Sequence, residues 1–291
     1  MIEFLIGVDG GGTGTRVRLA RRDGTVLADG NSGPSALLHG ISNAWNAIDD
    51  AVGKAFAAAA LVRPPLEHMA IGLGLAGVHN GDWAAQCIAA QPGYGALALE
   101  TDACTTLLGA HQGQPGAIIA LGTGSVGEVL RADGSRHEVG GWGFPAGDEA
   151  GGAWIGLRAV NHIEQVLDGR VAGGPFADAV IAACGGARGA IQLWLAAATQ
   201  TRYAQLAPLV LAHAASDDAA QAIAREAGRQ VMLIAQALDA DGAVPIALCG
   251  GLAEPLRAWL PPALLARIVA AHGDSADGAL LLIARQLRAQ R

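Results

Sequence analysis

The sequence predicts an α/β protein of two domains folded on one repeated plan. Three observations carry this. The chain has 291 residues, enough for two separate cores. Strand-like and helix-like segments alternate along it. And it contains itself twice at one fixed offset, which is the mark of a structural duplication.

The repeat fixes the organisation. Gly12-Thr13-Gly14 falls on Gly122-Thr123-Gly124 at an offset of 110 positions, and the same offset places Arg21 on Arg131, Asp23-Gly24 on Asp133-Gly134 and Gly30 on Gly140. Each copy opens with an apolar strand, Phe4 to Val8 and Ala117 to Leu121, that enters the Gly-Thr-Gly turn. A second extended segment follows, Arg16 to Arg21 and Gly127 to Arg131, then an Asp-Gly turn and a third segment, which together make a β-meander. Leu37, Ile41, Trp45, Ile48, Val52 and Phe56 then recur at spacings of three and four, the stripe of an amphipathic helix. Met69 to Leu75 reads as a buried strand, Asp82 to Ala90 as a helix, Ala96 to Glu100 as a strand, and Ala103 to Ala110 as a helix. The second half is more helical: Ala153 to Leu167, Ala177 to Cys184, Tyr203 to Ala214 and Asp218 to Leu238 precede a strand at Pro245 to Cys249, and Gly278 to Leu287 is a last helix.

Composition removes several function classes. Hydrophobic residues make up 52% and charged residues 15%, which excludes a disordered chain or a coiled coil. The net charge is -7 without a run of Lys or Arg, so the footprint of a nucleic-acid binder is missing. The longest apolar stretches, such as Met69 to Val78, fall short of the roughly 18 to 20 residues of a membrane span. Met1 leads into a strand with no signal-peptide pattern, so a cytoplasmic location is expected. Cys87, Cys104, Cys184 and Cys249 are scattered singly and read as small core residues, not as zinc or redox pairs.

The glycine-rich turns carry the chemistry. Glycine lets backbone N–H groups approach an anion with no side chain in the way. A Walker A loop needs Gly-Lys-Ser/Thr, and the one lysine, Lys54, is followed by Ala55, so that mechanism is excluded. Two G-x-G-x-x-G matches raise a dinucleotide site. Gly122, Gly124 and Gly127 lead into an extended segment instead of a helix, and fail; Gly72, Gly74 and Gly77 lead from strand towards helix, with Glu100 downstream, and stay open. The main reading is a pair of phosphate-binding hairpin loops, in which Gly11, Gly12, Gly14, Gly122 and Gly124 offer N–H groups and Thr13 and Thr123 offer hydroxyls. Either turn alone could be merely tight; the duplicated pair favours phosphate.

Carboxylates stand beside these loops. Asp9 ends a buried strand, where a hydrated magnesium ion on ATP would compensate it; otherwise it caps the turn. Asp102 follows another strand and could accept the proton of an attacking hydroxyl, cap the next helix, or do both. The segment from Gly140 to Gly152, with Trp142, Asp148 and Glu149 among its glycines, makes a poor core and a poor strand, and such loops usually bind something. Trp offers a flat apolar face and carboxylates accept from sugar hydroxyls. Gly250-Gly251, after a strand, would let a flat base approach the backbone.

Taken in order, Asp9 to Thr15, Thr101-Asp102-Ala103, Leu121 to Ser125, Gly140-Gly141-Trp142-Gly143 through Gly147-Asp148-Glu149, Trp154-Ile155-Gly156 and Gly250-Gly251 resemble the BadF/BadG/BcrA/BcrD ATPase family, in its N-acetylglucosamine kinase and bacterial glucosamine kinase members. The resemblance runs nearly end to end. It implies two ribonuclease H-like domains of the actin-like ATPase and sugar-kinase type with a cleft between them: residues 1–113, onto which a final helix 278–291 returns, and residues 114–277. It further implies ATP and Mg2+ as cofactors, with Asp9 holding the metal through water. ATP would lie on the two loops, including Thr15 and Ser125, and on Gly250 and Gly251. Asp102 would be the catalytic base on the 6-hydroxyl of an amino sugar, with Ser35, Gly77, Gly141, Trp142 and Asp148 lining the sugar site, and the resemblance implies a homodimer. Ser35 departs from the Asn that N-acetylglucosamine kinases of this group present. The alternative within the family is an ATPase that activates a dehydratase partner through an iron–sulfur cluster shared by two subunits.

Overall fold

Both copies of the repeat fold into a five-stranded mixed sheet with one strand order. In the computed structural model, which describes residues 1–289, the chain forms two units, Met1–Gly116 joined by the segment from Ala270 onward, and Ala117–Val269. In the first unit β1 (Phe4–Gly10), β2 (Thr15–Arg21) and β3 (Val26–Ser32) form an antiparallel meander, while β4 (Met69–Leu75) and β5 (Ala96–Glu100) run parallel to β1. The order is β3-β2-β1-β4-β5. Helices α1 (Ile41–Ala58), α2 (Gly81–Ala89) and α3 (Asp102–Ala110) belong to it.

The second unit repeats the scheme with β6 (Gly116–Leu121), β7 (Ser125–Leu130), β8 (Arg136–Gly140), β9 (Ile246–Cys249) and β10 (Ile268–Val269), ordered β10-β9-β6-β7-β8. Counted within each unit, both sheets read third, second, first, fourth, fifth. Turn chemistry is duplicated as well. The Asp23 and Asp133 carboxylates accept from the amides of Thr25 (2.9 Å) and Ser135 (2.8 Å), and Gly24 and Gly134 follow in the left-handed region at φ 94° and 84°.

Eight helices sit between β8 and the end of this unit: α4 (Gly152–Leu167), α5 (Pro175–Ala183), α6 (Arg188–Ala196), α7 (Gln200–Ala204), α8 (Ala207–His213), α9 (Asp218–Leu238), α10 (Ala253–Leu256) and α11 (Pro262–Leu265). Two expectations change here. The helix expected over Tyr203 to Ala214 is two helices, because Pro208 lies in the first turn of α8, where its missing N–H and fixed φ favour a new start. Leu37 lies in a separate 3-10 turn, since Gly40 at φ 100° breaks the stripe before α1 begins. No single described helix is long and apolar enough to cross a membrane; α5 and α6 pass that test only as a bent pair, and they bury Phe176, Val180, Ile191 and Trp194 in the core of the second unit.

The last helix, α12 (Ser275–Ala289), packs in the first unit on α3, β1 and β4; positions 290 and 291 of the expected helix lie outside the described residues. Glycines admit it. A methyl at Gly278 would fall on the Thr105 carbonyl oxygen, one at Gly109 on that of Asp274, and one at Gly72 on that of Ala279. A methyl at Gly74 would strike the Thr105 hydroxyl. Gly72 and Gly74 therefore serve helix packing inside the fully buried strand β4, and α2 starts only at Gly81 behind its Asn80 cap. This removes the dinucleotide reading of that motif. With α1 on the opposite face, β4 is covered on both sides, which is why all seven of its residues are buried.

Backbone contact this close has a testable consequence. Helix propensity alone makes Gly278→Ala stabilising by about 1 kcal/mol. Overpacking against Thr105 opposes that by about 1–3 kcal/mol. Thermal denaturation should show the variant melting below the parent, and an equal or higher melting temperature would contradict the packing described.

Candidate functional site

The parallel strands β1, β4 and β5 end on one edge of the first sheet, the edge where α/β folds place ligands. Asp9 lies next to the end of β1, in register with Arg16 on β2 and Gly74 on β4. Asp102 is the first residue of α3, directly after β5 and Thr101. Gly77, at φ 96°, follows β4, whose continuation is tied to β1 by the Ala76 amide donating to the Gly10 carbonyl at 2.9 Å.

Helix capping belongs to Thr101 and not to Asp102. The Thr101 hydroxyl accepts from the Cys104 amide at 3.0 Å, whereas Asp102 accepts only from its neighbour Ala103, also at 3.0 Å. Burial raises the proton affinity of Asp102; the Ala103 amide opposes this, and the negative charge of Asp9 adds to it. Burial likewise raises Asp9, against a hydrogen bond from Ser275 and the charge of Arg16. Two desolvated carboxylates thus stand at one edge of the sheet, and the charge of Asp9 makes Asp102 harder to ionise.

Each Gly-Thr-Gly loop is closed by one backbone bond to its last glycine, from the Gly11 amide to Gly14 at 3.0 Å and, one position later in the repeat, from the Gly122 amide to Gly124 at 2.9 Å. Nothing internal demands glycine at 12 or 122. Neither has a positive φ, and a methyl on either would meet no atom within 4 Å. The same holds for Gly251, whereas Gly250 is held at φ 88° with its α-carbon against the Leu121 backbone. Bare backbone facing open space is what a phosphate or a flat base needs. The first two amides of α4 are spent within the protein and brace the second loop, Gly152 and Ala153 donating to the carbonyls of Gly122 (2.8 Å) and Thr123 (2.9 Å). Thr13 is exposed and Thr123 half-buried.

Several expected ligand residues turn inward instead. The Thr15 hydroxyl donates to the Gly33 carbonyl (2.6 Å) and lies 2.7 Å from Ser35 Oγ, while Ser125, its counterpart, donates to the Glu149 carbonyl at 2.6 Å. Ser35 is fully buried against Gly10, with its amide donating to Gly11 at 3.2 Å, so its hydroxyl braces the first loop and does not face a sugar. Alternation along the strands carries this signal: Thr15, Val17 and Leu19 are buried on β2, as are Ser125, Gly127 and Val129 on β7. Asp148 is a bracket. Its oxygens accept from the Gly143 amide (3.3 Å) and Gln200 Nε2 (2.8 Å), and it presses on Gly124. Burial raises its proton affinity against those hydrogen bonds. Trp142, between Gly141 (φ 69°) and Gly143 (φ 86°), is 87% exposed, an indole with no core to serve.

Residues absent from the sequence reading complete the first site. Asp274 and Asp277 cap α12 reciprocally, each carboxylate accepting from the other's amide at 3.1 Å. Arg16 and Arg18 pair with Asp274 at 2.7 and 2.9 Å, and Arg18 also reaches Asp29 and Asp277. Burial alone would raise Asp274, but the Asp277 amide and the two arginines outweigh it and hold the carboxyl below its ordinary value. No local motif announces these contacts, because residues 9–18 and 274–277 are far apart in sequence.

Residues 6–282 match the family model described as the BadF/BadG/BcrA/BcrD ATPase family. The chain is 32% identical over 282 residues to the glucosamine kinase GspK of Vibrio cholerae, covering 96% of this chain and 95% of that one. It is 52% identical to a Chromobacterium violaceum protein provisionally named an N-acetylglucosamine kinase, whose crystal structure superposes with a TM-score of 0.95 over 97% of this chain and 99% of that one. Component A of the (R)-2-hydroxyglutaryl-CoA dehydratase of Acidaminococcus fermentans shares the fold alone, at 14% identity and a TM-score of 0.52 over the full length of both chains.

The raised proton affinity of Asp102 sets the sign of a stability effect. An aspartate ordinarily titrates near 3.8, and here the folded state holds its proton more tightly than the unfolded chain does. Stability is therefore lost as pH rises from that value through the folded pKa, and is lowest with the carboxylate ionised. Asp102→Asn should melt higher than the parent at pH 7, with the gain shrinking as pH falls towards 4; calorimetry across that range showing a uniform or negative change would contradict the burial argument.

Proposed function

We propose that this chain, which belongs to the BadF/BadG/BcrA/BcrD ATPase family, is an ATP-dependent kinase that phosphorylates the 6-hydroxyl of an amino sugar, glucosamine or N-acetylglucosamine. The observation that carries the reading is Asp102, a buried carboxylate with raised proton affinity and no capping duty, placed beside a second buried carboxylate at the ligand edge of the sheet. The kinases named among its relatives support the class of reaction.

The residues fit ATP and Mg2+. The open backbone of the loops around Gly12 and Gly122 would receive phosphates, Gly251 the base or ribose, and Asp9 the metal through water, which would offset the burial that Ser275 and Arg16 only partly relieve. Bound MgATP would supply the phosphoryl group. Asp102 would orient the sugar hydroxyl and take its proton as the oxygen attacks; an acid whose pKa lies nearer neutrality does this better than a solvated one. Trp142 would offer its exposed face to the pyranose ring, and Gly77 and Gly141 are the glycines of the proposed sugar site. The reading requires that water be excluded from the γ-phosphate during transfer. A homodimer in the cytoplasm belongs to the same proposal.

The dehydratase-activator alternative rests on fold similarity alone. Its cluster needs accessible thiolates, whereas Cys87, Cys104 and Cys184 are buried, and burial pushes the Cys87 and Cys249 thiols up to about 11.

A coupled assay of ADP release over glucosamine, N-acetylglucosamine, glucose and N-acetylmannosamine tests the proposal. Stimulation by an amino sugar is expected, and no stimulation by any sugar would overturn it. Asp102→Asn should lower kcat by about 10²–10⁴-fold, the range of general-base loss, with nucleotide affinity unchanged. Gly12→Ala should do the reverse: it meets no atom in the protein, so its melting temperature should hold or rise slightly while nucleotide affinity falls.

A further inference from the structure

The geometry points to Gln200 as a positioning residue that holds the loop carrying Trp142 in its binding shape. The inference deepens the kinase reading above, in which Trp142 faces the sugar, and rests on it.

Gln200 opens α7, and its Nε2 donates to Asp148 Oδ2 at 2.8 Å. Asp148 is buried, and its other oxygen, Oδ1, accepts at 3.3 Å from the amide of Gly143, the residue after Trp142. An ionised carboxylate only accepts, and only the NH2 end of a glutamine side chain donates, so the direction of the first bond is set. A hydrogen bond to a charged group is the stronger kind. Gln200 thus fixes the carboxylate that holds the chain just past the indole.

The same helix touches the same loop a second time. Tyr203, one turn after Gln200, packs its ring 5.2 Å from that of Phe144, centroid to centroid. The helix is itself well anchored. A methyl at Gly156 of α4 would fall on the Tyr203 carbonyl oxygen, one at Gly152 would lie 3.1 Å from Ala204, and Tyr203 also meets the buried Trp194 of α6 edge-on at 5.2 Å. The loop between β8 and α4 has no helix or strand of its own, and Trp142 stands in it between two glycines of positive φ. Left unsupported, such a segment would lose conformational freedom each time a ligand ordered it; α7 removes that cost beforehand. Asp148 also lies against Gly124, but the second phosphate loop has supports apart from Gln200, the Gly152 and Ala153 amides among them. Loss of Gln200 should therefore fall on the sugar and spare the nucleotide.

Steady-state ADP release, with glucosamine or N-acetylglucosamine varied at saturating ATP and then ATP varied at saturating sugar, separates positioning from mere structure. Gln200→Met, close in length but with no donor, should raise the KM of the amino sugar that stimulates the parent about tenfold, the factor for one hydrogen bond to a charged group, while the KM for ATP holds. The loss should fall on KM and not on kcat, as for binding shared by ground and transition states. In a Trp142→Ala background the same substitution should add little, because the face it positions is gone. An equal rise in both KM values, no rise in either, or losses that simply add in the double variant would overturn the proposal. A parent stimulated by neither amino sugar would instead remove the kinase reading, and the proposal with it. Should circular dichroism show Gln200→Met unfolded, Gln200→Glu, of the same length and without a donor when ionised, takes its place in the same cycle.

Discussion

Keeping two carboxylates out of water at one edge of one sheet is the constraint on which the first unit depends. Ionised groups in such a place demand compensation, and the fold supplies it sparingly: one amide to Asp102, one hydroxyl and one cross-strand arginine to Asp9. The supports come from β2, α3 and α12, so the strand order, the tight helix contact and the reciprocal cap of α12 all serve the same few atoms. A fully compensated pair would be more stable and would leave no demand for a ligand to satisfy.

The duplication shows how one scaffold is given two tasks. Turn residues, loop closure and the inward hydroxyl after each loop are shared, with Thr15 bracing Ser35 in one copy and Ser125 bracing Glu149 in the other. The reactive groups are not shared. The position matching Asp9 in the second copy is Ile119, fully buried in an apolar core. The second copy is built instead around bare backbone at Gly122 and Gly251 and the exposed indole of Trp142.

Much of this was legible in the sequence, for identifiable reasons. β4 and β5 match the expected Met69–Leu75 and Ala96–Glu100 because a continuous apolar run bounded by turn residues allows no other reading. The repeat was legible because it preserved residues that turns require, Asp23-Gly24 and Asp133-Gly134 among them. Side-chain direction was harder to see. A Ser or Thr beside a phosphate loop suggests a ligand, but Thr15, Ser35 and Ser125 face the interior, and only strand alternation tells the two apart. Helix α6, between the Gly185-Gly186 stop of α5 and the Thr199 cap of α7, has no side-chain cap of its own to announce it, and Ser275 escaped notice because Thr105, 2.8 Å from its Oγ, lies far away in the chain.

The last described helix covers a sheet whose strands all lie within the first hundred residues. On the ribosome, Leu5, Ala20, Ala70 and Ala98 must therefore wait for Ile283 while the whole second unit is synthesised and folds. A chain cut short between residues 125 and 275 has both Gly-Thr-Gly loops but lacks the helix that covers that face. The order of the chain thus leaves the first sheet uncovered on one face until residues beyond the whole second unit have been made.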